Sequence, residues 1–497
     1  MSRLRIRLRL AETWITFEDD GLHVVSRALD RLRDECLSAG HADLEALCDI
    51  QQAAVSGRGG DLSGALNSMR RAEAGRSLLT DEEQARLLIN RGSLLILLGD
   101  PKEASRDLAE AAVLAVDADM AAVRFKAMHN QGYAEFLLGN LPVALTLMER
   151  ADRMEVDVDR GIARLDRARV MLEAGLVDEA HELLLRVLTH TEHEGSQHDL
   201  GEIELDLARS EMLLGDSASA RERALTARHR FQRRGESGWR RTALLSELEA
   251  GGQGAMAPAA RERLARVLGE VAAREGDETV RQGSMLVRAE ALIDQGRPVD
   301  ARDALAQAPG LLRSAHLATR LHARHVSARI SLGSDQRQSA ARTLKRAAED
   351  LGAAGRQSAG LDLRTALTAH GSALASLDLD IAMRFGTARQ VLARTELWRD
   401  VVRTLPPMRT SDDPDRASAI RRLRRAREDL RLAPPEAPQA PLRAEVSRAE
   451  RAARELDWTT EVDAKQVSPT HGPLSPGKIV AAVQQAGVAM LTTFIRG

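Results

Sequence analysis

One spacing of small residues recurs along this chain and constrains its fold more than any other feature. A small residue is followed by Gly seven positions later, by Ala five after that, and by another small residue seven after that. The six copies are Ala53, Gly60, Ala65 and Ala72; Gly92, Gly99, Ala104 and Ala111; Gly132, Gly139, Ala144 and Ala151; Ala208, Gly215, Ala220 and Ala227; Ala289, Gly296, Ala301 and Ala308; and a slightly relaxed copy, Ala168, Gly175, Ala180 and Val187. A frame with fixed internal spacing predicts a stack of similar helical hairpins.

Each position of the frame has a physical role in such a hairpin. The first small residue lets the first helix pack closely on the second, and the Gly ends the first helix, where a left-handed backbone is often needed. The last two small residues share one face of the second helix, where the next helix approaches. A large residue usually follows the first of these two by four positions and fills the gap between repeats: Met69, Leu108, Met148, Leu184 and Leu305.

The frame resembles the tetratricopeptide repeat, although its copies recur roughly every 40 residues rather than about every 34. A degenerate copy is expected at RRTALLSELEAGGQGAM, and further helical pairs are expected up to residue 403. Ala and Leu dominate, and alternating Val, Ile and Thr segments are almost absent before the C-terminal end, which also favours helix. We therefore expect an all-α chain with a right-handed α-solenoid over residues 22–403 and a concave groove.

Changes in composition mark the segments outside the repeats. In residues 1–21 the opening MSRLRIRLRL alternates Arg with apolar residues, which predicts a frayed or edge strand. Pro406, Pro407 and Pro414 predict a linker over 404–414. An antiparallel helical hairpin is expected over 415–458 and a Pro/Ser loop over 459–478. The closing segment 479–497, IVAAVQQAGVAMLTTFIRG, predicts a short helix and one apolar strand.

The order of these segments resembles the N-terminal part of bacterial CHAT-domain proteins, which are relatives of caspases and separase. TELWRDVVRTLPPMRTSDDPD, the basic hairpin ending at Trp458, and AAVQQAGVAMLTTFI carry the resemblance, over about residues 396–497. It implies that 479–497 is the incomplete start of a CHAT-like domain. The catalytic His and Cys of that family come well downstream of this strand, and Cys36 and Cys48 lie on the wrong side of it. We therefore assign no catalytic residue and expect the chain not to be an enzyme.

Composition and motifs exclude several other classes of function. A formal net charge of -2 gives no overall attraction to nucleic acid or membrane, and apolar runs such as LLILL are far too short to span a bilayer. Two cysteines suggest a reducing compartment, so we expect a cytoplasmic protein. The phosphate-binding patterns GxxxxGK[ST] and GxGxxG after a strand are absent, and no cofactor is expected.

A candidate partner site comes from the position in the frame that faces the concave groove in tetratricopeptide domains. Asn90 and Asn130 lie two residues before the first small residue of their repeats, and Lys126 lies four before Asn130. They resemble part of the carboxylate clamp that grips a peptide C-terminus. Ile50 and Ala54 stand at the matching positions of the first repeat, so the clamp is incomplete. Asn side chains could instead bond a neighbouring carbonyl.

Two other groups of polar residues favour structural roles. His190, His193 and His198 lie within one segment, and His322 and His325 share a helix face, but neither spacing matches a known metal site, so no metal is expected. The segment 421–431 is rich in Arg, yet it has neighbouring acids and no interleaved aromatics, which favours a solvated helix over a nucleic-acid surface.

Three hypotheses for function follow from these observations. The first is a non-catalytic scaffold that binds a protein or peptide in the groove and resembles the regulatory arm of a CHAT-type cysteine protease. The second is the regulatory part of an active cysteine endopeptidase whose catalytic half lies beyond Gly497. The third is a peptide-sensing tetratricopeptide regulator. The sequence does not name the partner or the oligomeric state.

Overall fold

A computed structural model describes most of the chain. The described residues are 3–20, 22–58, 61–116, 120–158, 160–194, 197–233, 235–252, 254, 256–357, 366–403, 414–432, 441–442, 445–446, 448–450, 452–453, 456 and 477. Within these ranges the regular structure is entirely helical. The predicted all-α helical-repeat fold is therefore confirmed, whereas the predicted closing helix and strand at 479–497 lie outside the described residues.

The α-helices follow one another with short connections. They are α1 Arg3–Asp20, α2 Leu22–Ser38, α3 Ala42–Arg58, α4 Leu62–Ala74, α5 Asp81–Leu97, α6 Pro101–Leu114, α7 Ala121–Leu137, α8 Leu141–Asp152, α9 Gly161–Glu173, α10 Val177–Glu194, α11 Gln197–Leu214, α12 Ser217–Arg233, α13 Ser237–Ala250, α14 Pro258–Arg274, α15 Glu278–Asp294, α16 Pro298–Ala306, α17 Leu317–Gly333, α18 Arg337–Gln357, α19 Ser372–Phe385, α20 Ala388–Arg403 and α21 Pro414–Leu432. Short 3-10 turns occur at Arg76–Leu78, Leu311–Arg313 and Thr368–Gly371.

The chain divides into two compact units, Met1–Val170 and Met171–Gly497, with the boundary inside α9. In unit 1, α3 packs on α4, α5 on α6 and α7 on α8, and the first helices of these hairpins also pack on one another. In unit 2, α11 packs on α12, α15 on α14 and α16, and α17 on α18, while α11, α13, α15 and α17 form a row of adjacent helices. In each unit, therefore, every second helix belongs to one continuous layer.

The small residues of the frame occupy the closest contacts between helices. A Cβ atom added to Gly92 of α5 would lie 2.7 Å from Cγ of Leu108 in α6, so only Gly fits without a shift. The second-helix alanines are fully buried: Ala65, Ala104, Ala144, Ala180, Ala220 and Ala301. Most turn glycines have a left-handed backbone: Gly99 (φ +81°), Gly139 (+84°), Gly175 (+80°), Gly215 (+87°) and Gly296 (+72°). Gly60 lies outside the described residues.

The N-terminal segment is helical, so the prediction of a frayed or edge strand is wrong. Ile6 and Leu10, four residues apart, are buried in a cluster with Val25, Leu29 and Leu32. The arginines between them lie on the outer side, where Arg9 pairs with Glu35 at 2.8 Å and Arg3 pairs with Asp43. The alternating pattern thus contains a helical i, i+4 stripe, and the next helices cover it.

The C-terminal part is described only in pieces. α21 carries the basic stretch, in which Arg422 pairs with Glu445 at 2.8 Å and Arg427 pairs with Glu450 at 2.8 Å. The hairpin boundaries 415–458, the linker 404–414 and the loop 459–478 stay predictions, because most of their connecting residues lie outside the described ranges. None of the helices in the described part of the chain is long and apolar enough to cross a membrane.

The close contact at Gly132 gives a test of the frame. Gly132→Ala would place a Cβ atom 2.8 Å from Met148 Cγ and 3.0 Å from the Ala144 carbonyl oxygen, so we expect a loss of about 1–3 kcal/mol in the free energy of unfolding. In Gly57→Ala, the matched control in α3, the nearest atom would be Ala65 Cβ at 3.9 Å. The control should gain about 0.5–1 kcal/mol, because Ala orders more cheaply than Gly in a helix. Urea unfolding of both variants measures the difference, and equal effects would contradict the packing role of Gly132.

Candidate functional site

The predicted partner residues lie on two adjacent helices of unit 1. Asn90 of α5 and Asn130 of α7 are half-buried, and Lys126 of α7 is exposed. Asn130 donates a hydrogen bond from Nδ2 to Ser93 Oγ of α5 at 3.2 Å. Asn130 is thus engaged between helices, with a hydroxyl partner rather than a loop carbonyl. Within the described residues, the side chains of Asn90 and Lys126 make no hydrogen bond or ion pair.

Apolar side chains extend the same helix faces. Tyr133 follows Asn130 by three positions and Lys126 by seven, so the three share one side of α7. Leu97 follows Asn90 by seven positions on α5 and is 63% exposed. We call Asn90, Leu97, Lys126, Asn130 and Tyr133 the unit 1 face. It combines one exposed cation and two carboxamides with an aromatic ring and an aliphatic side chain.

The predicted histidine groups do not form a metal centre in the described residues. Nowhere in that part of the chain do three or more His, Cys, Asp or Glu side chains stand where they could hold one metal ion. His190 is exposed, and the side chains of His193 and His198 lie outside the described set.

Unit 2 contains a second polar region, centred on the buried carboxylate of Glu173 at the end of α9. One carboxylate oxygen accepts a hydrogen bond from the backbone N–H of Ala318, at the start of α17, at 3.1 Å. The other accepts from Arg209 Nη2 of α11 at 3.0 Å, and His370 Nε2 donates to the Glu173 carbonyl oxygen at 3.0 Å. Burial acts to raise the pKa of Glu173, but the Arg209 charge and the Ala318 N–H hold it below its usual value.

Glu290 of α15 forms the next part of this region. Its carboxylate accepts from Arg261 Nη2 at 2.7 Å and contacts His322 Nε2 of α17 at 2.8 Å. Burial acts to raise the pKa of Glu290, yet the charges and hydrogen bonds of His322 and Arg261 lower it to about 2. Burial acts to lower the pKa of His322, and the Glu290 carboxylate raises it above the ordinary value. Arg261 is itself buried and also donates from Nε to the Leu248 carbonyl oxygen at 2.7 Å.

Two further groups in unit 2 have shifted pKa values. Burial, with the nearby charges of His322 and Arg329, lowers the pKa of His325 to about 4, so this imidazole is neutral at pH 7. Burial, together with the charge of Glu290, raises the pKa of Glu249 in α13. We call Glu173, Arg209, Glu249, Glu290 and His322 the inner cluster.

Sequence reasoning noted His322 and His325 but missed the acidic members of the inner cluster. One signal was available: Arg209 and Glu290 each directly follow the first small residue of the frame, Ala208 and Ala289. Glu249 lies one repeat length from each of them. The pattern was hidden among many acidic helical residues, and the contact of Glu173 with Ala318 joins positions far apart in sequence.

Comparison with known proteins identifies the fold class. No protein-family model matches the chain, and the comparison with curated proteins found no match. Among solved structures, it is similar to a Rap protein complexed with competence and sporulation factor, at 13% identity over 70% of this chain and 98% of that chain, with a TM-score of 0.55. This likeness shows the fold alone. The chain thus contains a tetratricopeptide-like helical-repeat region.

Two other matches have lower scores. The apo form of RapI matches at 11% identity over 68% of this chain and 97% of that chain, with a TM-score of 0.49. An ATPase of the STAND class with a tetratricopeptide-repeat sensor, from Pyrococcus horikoshii, matches at 14% identity over 63% of this chain and 48% of that chain, with a TM-score of 0.46. Neither likeness carries a conclusion about this chain.

The ion pair of Glu290 with Arg261 gives a prediction for stability. Glu290→Ala removes the closest carboxylate from the buried Arg261 guanidinium, whose Nη1 is 4.0 Å from Asp294, so we expect a loss of about 3 kcal/mol in the free energy of unfolding at pH 7. Since the pKa of Glu290 falls from 4.5 to about 2 on folding, its contribution is present above pH 4.5 and disappears as pH falls through about 2. The difference from wild type should shrink over that window.

The matched control is Glu270→Ala, because the Glu270 side chain is exposed and, among the described residues, forms an ion pair with Arg266 alone, within α14. It should change the free energy of unfolding by less than about 0.5 kcal/mol. Urea titrations at pH 7 and pH 3 measure both variants. A pH-independent penalty for Glu290→Ala would contradict the ion-pair explanation.

Proposed function

We propose that the chain is a non-catalytic scaffold that binds a protein or an extended peptide on the unit 1 face. The supporting observation is the chemistry of that face: the exposed Lys126 and the half-buried Asn90 lie on adjacent helices, and neither side chain has a partner in the described residues. An ammonium can donate to a carboxylate, and a carboxamide can both donate to and accept from a peptide backbone. Leu97 and Tyr133 offer apolar contact for neighbouring side chains of the ligand.

The architecture suits this role. Stacked helical hairpins present one layer of helices as an extended surface, and such surfaces hold peptides or helices of other proteins. The similar Rap structure was solved as a complex with competence and sporulation factor. That complex supports a bound partner for the present chain without identifying it.

The resemblance to CHAT-domain proteins extends the proposal. The repeats would then be the regulatory arm of a cysteine peptidase, and partner binding would control that peptidase in the cytoplasm. Two free, buried cysteines, Cys36 and Cys48, suit a reducing compartment. The intact mass of the protein from its native cell tests this extension. A mass far above 54.2 kDa, with a downstream Cys and His, would support it, and a mass of 54.2 kDa would oppose it.

The unit 1 face predicts which substitutions weaken binding. A ligand selected from a displayed pool of random peptides with free C-termini should bind Lys126→Ala about 10- to 100-fold more weakly, because a charge-assisted hydrogen bond contributes about 1.5–3 kcal/mol. Asn90→Ala should weaken binding of the same peptide about fivefold. Isothermal titration calorimetry measures both.

Lys102→Ala is the matched control. Lys102 is also exposed, but it lies at the start of α6, the second helix of its hairpin. This variant removes the same charge and should bind like wild type. Equal weakening by Lys102→Ala and Lys126→Ala would show only general electrostatic attraction, and unchanged binding of Lys126→Ala would overturn the proposed site.

A further inference from the structure

The inner cluster lies on the enclosed side of the helix layer in unit 2. Three helices of the layer, α11, α13 and α15, come between α9 and α17. Even so, the Glu173 carboxylate at the end of α9 reaches the Ala318 N–H at the start of α17. The same carboxylate accepts from Arg209 of α11, so one residue of α9 bridges the first and last helices of the row α11, α13, α15 and α17, and the row is strongly curved.

Glu249 differs from every other member of the inner cluster. Glu173 pairs with Arg209, and Glu290 pairs with both Arg261 and His322. The Glu249 carboxylate, in contrast, has no hydrogen bond or ion pair within the described residues, although its side chain is only partly exposed. The nearby cations are already engaged by other carboxylates, so Glu249 is an acceptor that an incoming donor could use.

The ionised form of Glu249 does not stabilise the fold. Its carboxyl has a raised pKa because burial and the neighbouring Glu290 both oppose the negative charge. When folding raises the pKa of a carboxyl group, the free energy of unfolding falls as pH rises from the unfolded-state pKa to the folded-state pKa. The full loss is present at every pH above the folded-state pKa. Unpaired and perturbed carboxyl groups in concave sites are typical of binding positions rather than of structural ones.

We propose that Glu249 binds the guanidinium group of an arginine in a peptide that enters the inner side of unit 2. A guanidinium presents two parallel N–H donors that match a carboxylate, and it is less strongly hydrated than an ammonium, so it enters a partly buried site more easily. Glu290 adds negative charge on the adjacent helix. Arg209 and Arg261 repel an incoming cation less, because each is paired with a carboxylate, Glu173 and Glu290 respectively. The site is independent of the unit 1 face, since it uses other residues and another ligand chemistry.

The test compares two peptide pools in equilibrium dialysis with the full chain. Both pools contain acetylated, amidated heptapeptides with Gly, Ala, Ser, Gln, Leu and Phe randomised around one central residue. That residue is arginine in one pool and citrulline, its neutral isostere, in the other. Wild type should retain the arginine pool about tenfold better, as expected for a charge-assisted hydrogen bond.

Glu249→Gln should abolish the preference for arginine, and the control Glu270→Gln should keep it, although both remove one negative charge from unit 2. Glu249→Gln should also unfold at the same or higher urea concentration at pH 8, which separates loss of a ligand contact from loss of the fold. Equal retention of the two pools by wild type, or an unchanged preference in Glu249→Gln, would overturn the proposal. Stronger retention of free spermidine than of the arginine pool would also overturn it, because the occupant would then be a polyamine.

The pH dependence gives a second readout. The charged groups facing Glu249 are Arg209 of α11, Arg261 of α14, Glu290 of α15 and His322 of α17. As pH falls, Glu249 gains a proton and His322 becomes positive, and both changes weaken the binding of a cation. Retention of the arginine pool by wild type should therefore fall between pH 8 and pH 5. Glu249→Gln keeps the change at His322 and loses the change at Glu249, so its fall should be smaller, and an identical fall in both proteins would contradict the role of Glu249.

Discussion

The close approach of paired helices is the constraint on which the rest of this structure depends. Where Gly92 meets Leu108 and Gly132 meets Met148, no room remains for a Cβ atom. This contact fixes the separation of the two helices, and the following left-handed glycine fixes where the chain reverses. Because each hairpin presents buried alanines to the next one, the same contact sets the distance between repeats. The layers that carry the candidate sites follow from it.

Local spacing explains why much of the fold could be predicted from the sequence. The hairpins of the frame are local structures, and their turns lie at glycines that few other residues could replace. The N-terminal helix was missed because the apolar residues of MSRLRIRLRL alternate as in a strand, while Ile6 and Leu10 are buried and Leu4 and Leu8 are exposed. Which half of such a pattern is buried depends on the neighbouring helix, and that information is not local.

The candidate sites show the same division. Asn90, Lys126 and Asn130 could be found because the frame predicts which side of the first helix remains open. The sequence does not predict their hydrogen bonds. Asn130 donates to Ser93 of the neighbouring helix, while Lys126 is exposed. The inner cluster was harder still, since the contact of Glu173 with Ala318 depends on curvature that accumulates over several hairpins. The curvature is the sum of a small rotation between each repeat and the next, and no single sequence motif encodes that rotation.

A repeat architecture separates the residues that maintain the fold from those that are free to bind. The small frame residues within the helices are almost fully buried, so their identity is set by packing. The positions beside them, such as Arg209 and Glu290, carry charge without disturbing that packing. Neighbouring helices neutralise these two charges, as Glu173 does for Arg209 and as Arg261 and His322 do for Glu290. Glu249 has no such partner, and its unpaired negative charge lowers the free energy of unfolding. A positively charged ligand that binds the folded chain at Glu249 would raise that free energy again.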